Sequence, residues 1–61
     1  MTTTVEFKNG MELNRIGARF INGNKFVDVT EHYFSYGITT ADKGFGLGTE
    51  CTEEEALEWL K

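Results

Sequence analysis

The sequence predicts an α+β fold, in which a small antiparallel β-meander of four to five strands is covered by one C-terminal α-helix. Two observations support this class. Short stretches of alternating apolar and polar residues, separated by turns containing asparagine and glycine, run through most of the chain. The last segment instead combines a helix start signal with apolar residues at helical spacing. We expect residues 1–61 to form a single domain, with β-hairpins over 2–50 and the helix over 53–60, and an SH3-like barrel is the alternative form of the sheet.

The first two strands are predicted to form a hairpin. Apolar and polar residues alternate over 2–8, as in a half-buried strand. Asn9-Gly10 then suits a two-residue type I′ turn, because both residues tolerate positive φ. The alternation resumes after this turn, so a second strand is expected to run to about Ile21, with a bend at Gly17.

Further strands complete the predicted meander. Asn22-Gly23-Asn24 is a turn signal, and the alternation that follows it predicts a third strand over 25–30. Residues 31–36 fit either a fourth strand rich in aromatic residues or one helical turn capped by the preceding threonine. A turn at 42–44 and a last strand over 45–50, interrupted by glycines, are expected to follow.

The chain is predicted to end in a helix. Thr52 and Glu55 have the spacing of a capping box, in which each side chain accepts a hydrogen bond from a backbone amide of the other residue. At about 100° per residue, Ala56, Leu57 and Leu60 share one face with Trp59 at its edge, opposite Glu54, Glu55 and Glu58. The apolar face is expected to pack on the sheet, since a helix this short is marginal alone.

Composition and charge exclude several classes of protein. The hydrophobic fraction, 39%, is ordinary for a globular domain, and no apolar run approaches the roughly 20 residues that a membrane helix needs. Nothing resembles a secretory signal, and a single cysteine cannot form an intrachain disulfide, so we expect a cytoplasmic protein. The net charge of −4 lies entirely within 49–61, which disfavours nucleic acid as a partner and favours a basic protein surface. The expected partner is thus another protein with a basic or aromatic-accepting surface, and no membrane.

The residues that carry chemistry are too few for an enzyme. The glycines of 44–48 do not open a helix, as those of a phosphate-binding loop do. Cys51 and His32 fall short of the three or four ligands of a zinc site, and a chain of this size hardly forms a cleft around a nucleophile. We therefore predict no catalytic, cofactor or metal site, and we expect Cys51 to be a part-buried structural thiol.

Two weaker interpretations involve nucleic acid. Arg15 and Arg19, with the aromatic residues near them in sequence, fit a surface that stacks single-stranded nucleic acid. The acidic cluster of the helix fits a mimic of nucleic-acid phosphates. The chain lacks the basic stripe that the first requires, and its net charge is small for the second.

Aromatic residues on both faces of the sheet indicate a protein-binding surface. Phe26 lies on the face opposite to Val27 and Val29, and a sheet with one covering helix buries only one of its faces. Tyrosine and tryptophan are also enriched in interface hot spots. The predicted partner-binding residues are Phe26, Tyr33, Phe34, Tyr36, Glu54, Glu55, Glu58 and Trp59.

The expected function is that of a small acidic protein-binding module. Since the sequence starts at Met1 and closes on a helix, we interpret it as a complete small gene product. Proteins of this size commonly modulate larger partners, so we expect an inhibitor or modulator of a larger protein or enzyme, of the kind that phages and mobile elements encode. The alternative is a self-associating structural subunit, with a homodimer formed through the aromatic face or an open strand edge.

Overall fold

The described chain forms one five-stranded sheet and one α-helix. The computed structural model describes residues 3–41 and 44–61. In chain order the elements are β1 (Thr3–Glu6), β2 (Ala18–Asn22), β3 (Lys25–Val29), β4 (Phe34–Ile38), a 3₁₀ turn (Thr39–Ala41), β5 (Thr49–Cys51) and α1 (Glu53–Leu60). The strands lie in the sheet in their chain order, from β1 to β5. The predicted α+β class with a C-terminal helix is confirmed.

The predicted first hairpin is wrong, although its turn is present. The Met11 amide donates to the Lys8 carbonyl across Asn9-Gly10 (3.0 Å). However, β1 pairs with β2 in parallel, with Glu6 opposite Ile21, and the three later strand pairs are antiparallel. Residues 7–17 must therefore lead the chain from the end of β1 back to the level at which β1 begins, before β2 starts. A crossover between parallel neighbours follows the same course.

Burial of the crossover explains why the hairpin does not form. Phe7 and Leu13 are buried in the core although neither lies in a strand. The apolar positions that the alternation assigned to the first two strands are used by a loop that joins the core cluster. At these positions the period-2 pattern reflects packing of the loop against the core, and it does not report which strands pair.

The middle of the sheet agrees with the prediction more closely. β3 lies within the predicted range 25–30 and ends one residue earlier. The ambiguous segment is divided in two. The Thr30 hydroxyl accepts a hydrogen bond from the Tyr33 amide (3.0 Å) in a tight turn, and β4 then begins at Phe34.

The last strand is shorter than predicted. A strand was expected over 45–50, but the chain turns at Gly46, where φ is +79°, and β5 begins only at Thr49. The turn predicted at 42–44 falls mostly outside the described residues. β1 and β5 lie at opposite edges of the sheet, and no described residues pair them, so the described sheet is not closed.

The helix has the predicted bounds and cap. The Thr52 hydroxyl accepts from the Glu55 amide (3.2 Å), and the Glu55 carboxylate accepts from the Thr52 amide (3.1 Å). The side-chain amide of Asn22 donates to the Leu60 carbonyl, which ties the end of α1 to the end of β2. Among the residues that the structure describes, no helix is long and apolar enough to cross a membrane.

The core lies between α1 and one face of the sheet. Its buried members come from the strands, the crossover and the helix: Phe7, Leu13, Ala18, Phe20, Val27, Val29, Ala56 and Leu60. The register places Phe20, Val27 and Tyr36 side by side on this face, which we call the helix face. The opposite face carries Phe26 and Asp28, and we call it the reverse face.

Candidate protein-binding surfaces

The reverse face is covered by side chains and a loop. Phe26 is only 1% exposed. The Arg19 guanidinium lies 4.2 Å from the centroid of its ring, and a Cβ added to Gly37 would lie 2.7 Å from its Cζ. Neighbouring groups on β2 and β4 thus enclose nearly all of the ring, and the assignment of Phe26 as a contact residue stays a prediction.

Asp28 fixes the loop that covers this face. Its carboxylate is 0% exposed and accepts two hydrogen bonds from Arg19, at 2.6 Å to Oδ1 and 3.0 Å to Oδ2. The Gly46 amide donates to the same Oδ2 (2.9 Å), and the Tyr33 hydroxyl donates to the Gly46 carbonyl (2.9 Å). Both peptide groups of Gly46 are thus held by side chains that come from the sheet and the turn before β4.

This cluster was missed by the sequence analysis, although a signal for it exists. Arg19 and Asp28 are oppositely charged and lie opposite each other on β2 and β3. Asp28, like Phe26, alternates with the two valines along β3, so this pair belongs to the reverse face. Opposite charges directly across from each other on neighbouring strands stabilise their pairing. Arg19 is engaged by Asp28 and Phe26, so it gives no support to the interpretation as a nucleic-acid binder.

Two of the predicted aromatic residues, Tyr33 and Phe34, lie in a groove at the start of α1, which we call the acidic groove. It has a volume of about 590 Å³. Its lining residues are Leu13, Asn14, Ile16, Val29, Thr30, Glu31, His32, Tyr33, Phe34, Glu50, Cys51, Thr52 and Glu53. The apolar members include the buried Leu13 and Val29, whereas its three carboxylates are exposed. The groove therefore combines an apolar surface with negative charge, and it contains no lysine or arginine among its described lining residues.

The thiol in this groove is not activated. Burial raises the pKa of the Cys51 thiol, and the carboxylates of Glu55 and Glu50 raise it further. The thiol form, which is the poor nucleophile, is favoured by both effects. His32 is exposed, with its Nε2 4.0 Å from a Glu31 carboxylate oxygen, and the described residues contain no cluster of three or more metal-ligating side chains.

Tyr36 and Trp59, two more of the predicted residues, meet at a second site, which we call the Trp59 pocket. Their ring centroids are 4.8 Å apart with the planes tilted by 48°. The indole NH donates to the Gly37 carbonyl (3.3 Å), and the Lys25 ammonium lies 5.5 Å from the indole ring. The pocket has a volume of about 250 Å³ and is lined by Phe26, Tyr36, Gly37, Ile38, Gly48, Thr49 and Trp59. None of these lining residues is charged.

The predicted acidic residues lie apart from the aromatic ones. Glu54 and Glu58 border a third groove on the side of α1 that faces the crossover, together with Met11 and Leu57. The Lys61 ammonium donates to the Glu58 carboxylate (3.2 Å), and Glu55 completes the helix cap. The eight predicted residues thus do not form one site.

The carboxylates that do lie beside predicted aromatic residues were not in the predicted set. Glu31, Glu50 and Glu53 share the acidic groove with Tyr33 and Phe34. The turn at Thr30, which the sequence left ambiguous, brings Glu31 into this position. No sequence pattern of this chain reports that spatial grouping.

Comparison of the chain with family models, with curated proteins and with solved structures gave no significant match.

Proposed function

We propose that this protein is a small protein-binding module, an inhibitor or modulator of a larger protein, and that its acidic groove receives a basic and apolar segment of that partner. The observation that supports the proposal best is the composition of the groove. Apolar side chains and three exposed carboxylates line it, and no lysine or arginine is present among its described lining residues. A segment with aliphatic and basic side chains complements both properties.

The two properties contribute differently to binding. Apolar contact area supplies affinity, and Ile16 is available for it because this side chain is 64% exposed. Tyr33 adds a large and rigid side chain of a type that is enriched in hot spots. Exposed carboxylates contribute mainly to the association rate and to the rejection of acidic partners, because water screens pairs at the rim of an interface. We therefore expect binding that weakens as salt is added.

Paired charge-neutralising variants test the position of the binding surface. Glu31→Gln with Glu53→Gln removes two exposed carboxylates of the acidic groove, and Glu54→Gln with Glu58→Gln removes two exposed carboxylates of the neighbouring groove. Both double variants change the net charge from −4 to −2, so their total charge is matched. The immobilised proteins are compared for the amount of a stoichiometric partner that they retain from a cell lysate.

We expect the first double variant to lose most of the captured partner and the second to retain it. Ile16→Ser is the apolar counterpart and is expected to weaken capture without unfolding the domain, because the side chain is mostly exposed. An equal loss of the captured partner in both double variants would show that total charge, and not the acidic groove, governs binding. Failure of every form to retain a partner at low salt would contradict the proposed function itself.

A further inference from the structure

We propose that the Trp59 pocket receives the Leu47 side chain of a second copy of this chain, so that the protein forms a two-fold symmetric dimer. This surface is distinct from the acidic groove, since the two sites share no lining residue. The dimer proposal therefore stands independently of the proposed function. It rests on a pocket, an exposed apolar side chain beside it, and the distribution of charge.

The pocket suits an aliphatic side chain. Three aromatic residues and Ile38 contribute to its wall, and it has no charged lining residue. An apolar cavity of about 150 Å³ is large enough to hold benzene. The volume of about 250 Å³ is thus sufficient for the side chain of a leucine, even though the pocket is open to solvent on one side.

Leu47 provides the matching side chain on the same part of the surface. It is 68% exposed, and it directly precedes Gly48, which lines the pocket. Its Cα is therefore about 3.8 Å from that of a lining residue. Ile38, which also lines the pocket, is 43% exposed, so the apolar surface is larger than one side chain.

The loop that carries Leu47 is held in place before any partner arrives. The Leu47 amide donates to the Gly44 carbonyl (3.2 Å), and the preceding Gly46 is hydrogen-bonded to Asp28 and Tyr33. A side chain on a fixed loop loses less conformational freedom on binding than one on a mobile loop. This preorganisation favours insertion of Leu47 into a pocket of complementary shape.

A pocket and a protruding side chain on one surface are self-complementary. In a two-fold dimer, Leu47 of each copy enters the pocket of the other copy, so each contact is made twice and the assembly closes. An interface of ordinary size buries about 800 Å² on each partner. The chain exposes 4150 Å² and measures 26 × 24 × 20 Å, so the dimer requires about one face of the molecule.

The distribution of charge favours this face for contact between identical copies. Each copy carries a net charge of −4, and like charges oppose association. Six of the carboxylates border other grooves: Glu31, Glu50 and Glu53 the acidic groove, and Glu12, Glu54 and Glu58 the third groove. The Trp59 pocket has no charged lining residue, and the Lys25 ammonium lies 5.5 Å from its indole ring, so we expect less repulsion between carboxylates there than at either of those grooves. Added salt should screen the remaining repulsion and tighten the dimer.

Sedimentation over a concentration series tests the proposal with a matched pair of variants. Leu47→Ser and Ile16→Ser each remove an aliphatic side chain that is about two-thirds exposed, but only Leu47 lies beside the Trp59 pocket. We expect the wild-type chain and Ile16→Ser to reach twice the monomer mass. We expect Leu47→Ser to raise the dimer Kd at least about a hundredfold, since the contact is lost twice per dimer.

A second variant examines the pocket side of the contact. Thr49→Glu places a carboxylate on the wall of the pocket at an exposed position of β5, and it is also expected to abolish the dimer. Trp59 is the single tryptophan, so its fluorescence emission should shift with protein concentration in the wild type. The emission should stay constant in Leu47→Ser and in Thr49→Glu. Circular dichroism confirms that each variant is folded. A wild-type chain that remains monomeric at every concentration and salt level would refute the dimer, and an unchanged dimer in Leu47→Ser would refute this interface.

Discussion

Asp28 accepts three hydrogen bonds on a sheet face that has no helix above it. Removing a carboxylate from water costs several kcal/mol, so such a group persists only when it is paired and hydrogen-bonded. The Arg19 guanidinium supplies both the charge and two donors, and it also covers the Phe26 ring. A single acidic residue therefore links strand pairing, the cover of an aromatic ring and the position of the glycine-rich loop.

We expect Asp28→Asn to lower the free energy of unfolding by about 3 kcal/mol. The amide keeps an acceptor for the Gly46 amide but leaves the arginine charge without its buried partner. The expected cost lies toward the lower end for a broken buried pair, because the Arg19 side chain retains some solvent exposure. Urea unfolding measures the change. Glu12→Gln, at an exposed position, is the control and should change stability by less than about 0.5 kcal/mol.

The raised pKa of Cys51 predicts a slow reaction with alkylating reagents. Because thiolate is the reactive form, the rate of alkylation by iodoacetamide should rise at a higher pH in the folded protein than in the urea-unfolded chain. A pKa raised by folding also means that stability is fully present at neutral pH and declines as pH rises through the folded value. Glu50→Gln removes one contributing charge and should move the alkylation profile to lower pH. Coincident profiles for folded and unfolded chains would contradict the assigned environment.

At the scale of elements, the eight residues of α1 depend on their first turn. We expect Thr52→Ala to destabilise the domain by about 1 kcal/mol, because it removes the acceptor for the Glu55 amide and breaks the reciprocal cap. Thermal unfolding followed by circular dichroism measures the effect. Thr40→Ala, an exposed position outside the helix, is the comparison and should be close to neutral. An equal loss of stability in both variants would show that the cap contributes nothing specific.

How far each element could be predicted depends on whether its signals are local. The helix follows from Thr52, Glu55 and the apolar spacing after them, which all act within a few residues, and its bounds were predicted correctly. The turn at Asn9-Gly10 is equally local and is present. The direction of β1 relative to β2 is a non-local property, because it depends on whether Phe7 and Leu13 enter the core from strands or from a loop. Alternation of residue types is the same in both cases.

At the scale of the whole molecule, the candidate surfaces were less predictable than the fold. Tyr36 and Trp59 lie more than twenty positions apart and meet only because α1 packs on β4. Phe26 was expected at the surface since one helix cannot cover two faces, but an arginine and a loop cover the second face. Composition indicates how much aromatic surface a chain has, whereas tertiary packing decides where it is exposed.

The parallel pairing of β1 with β2 also affects how the chain folds. β2, β3 and β4 are antiparallel neighbours joined by short turns, so their contacts close small loops. β1 reaches β2 only across the crossover 7–17, and its pairing must wait until that longer loop has closed. We therefore expect the β2–β4 region to be ordered in the folding transition state and β1 to join after it. Weakened contacts of β1 would then speed unfolding and leave the folding rate almost unchanged.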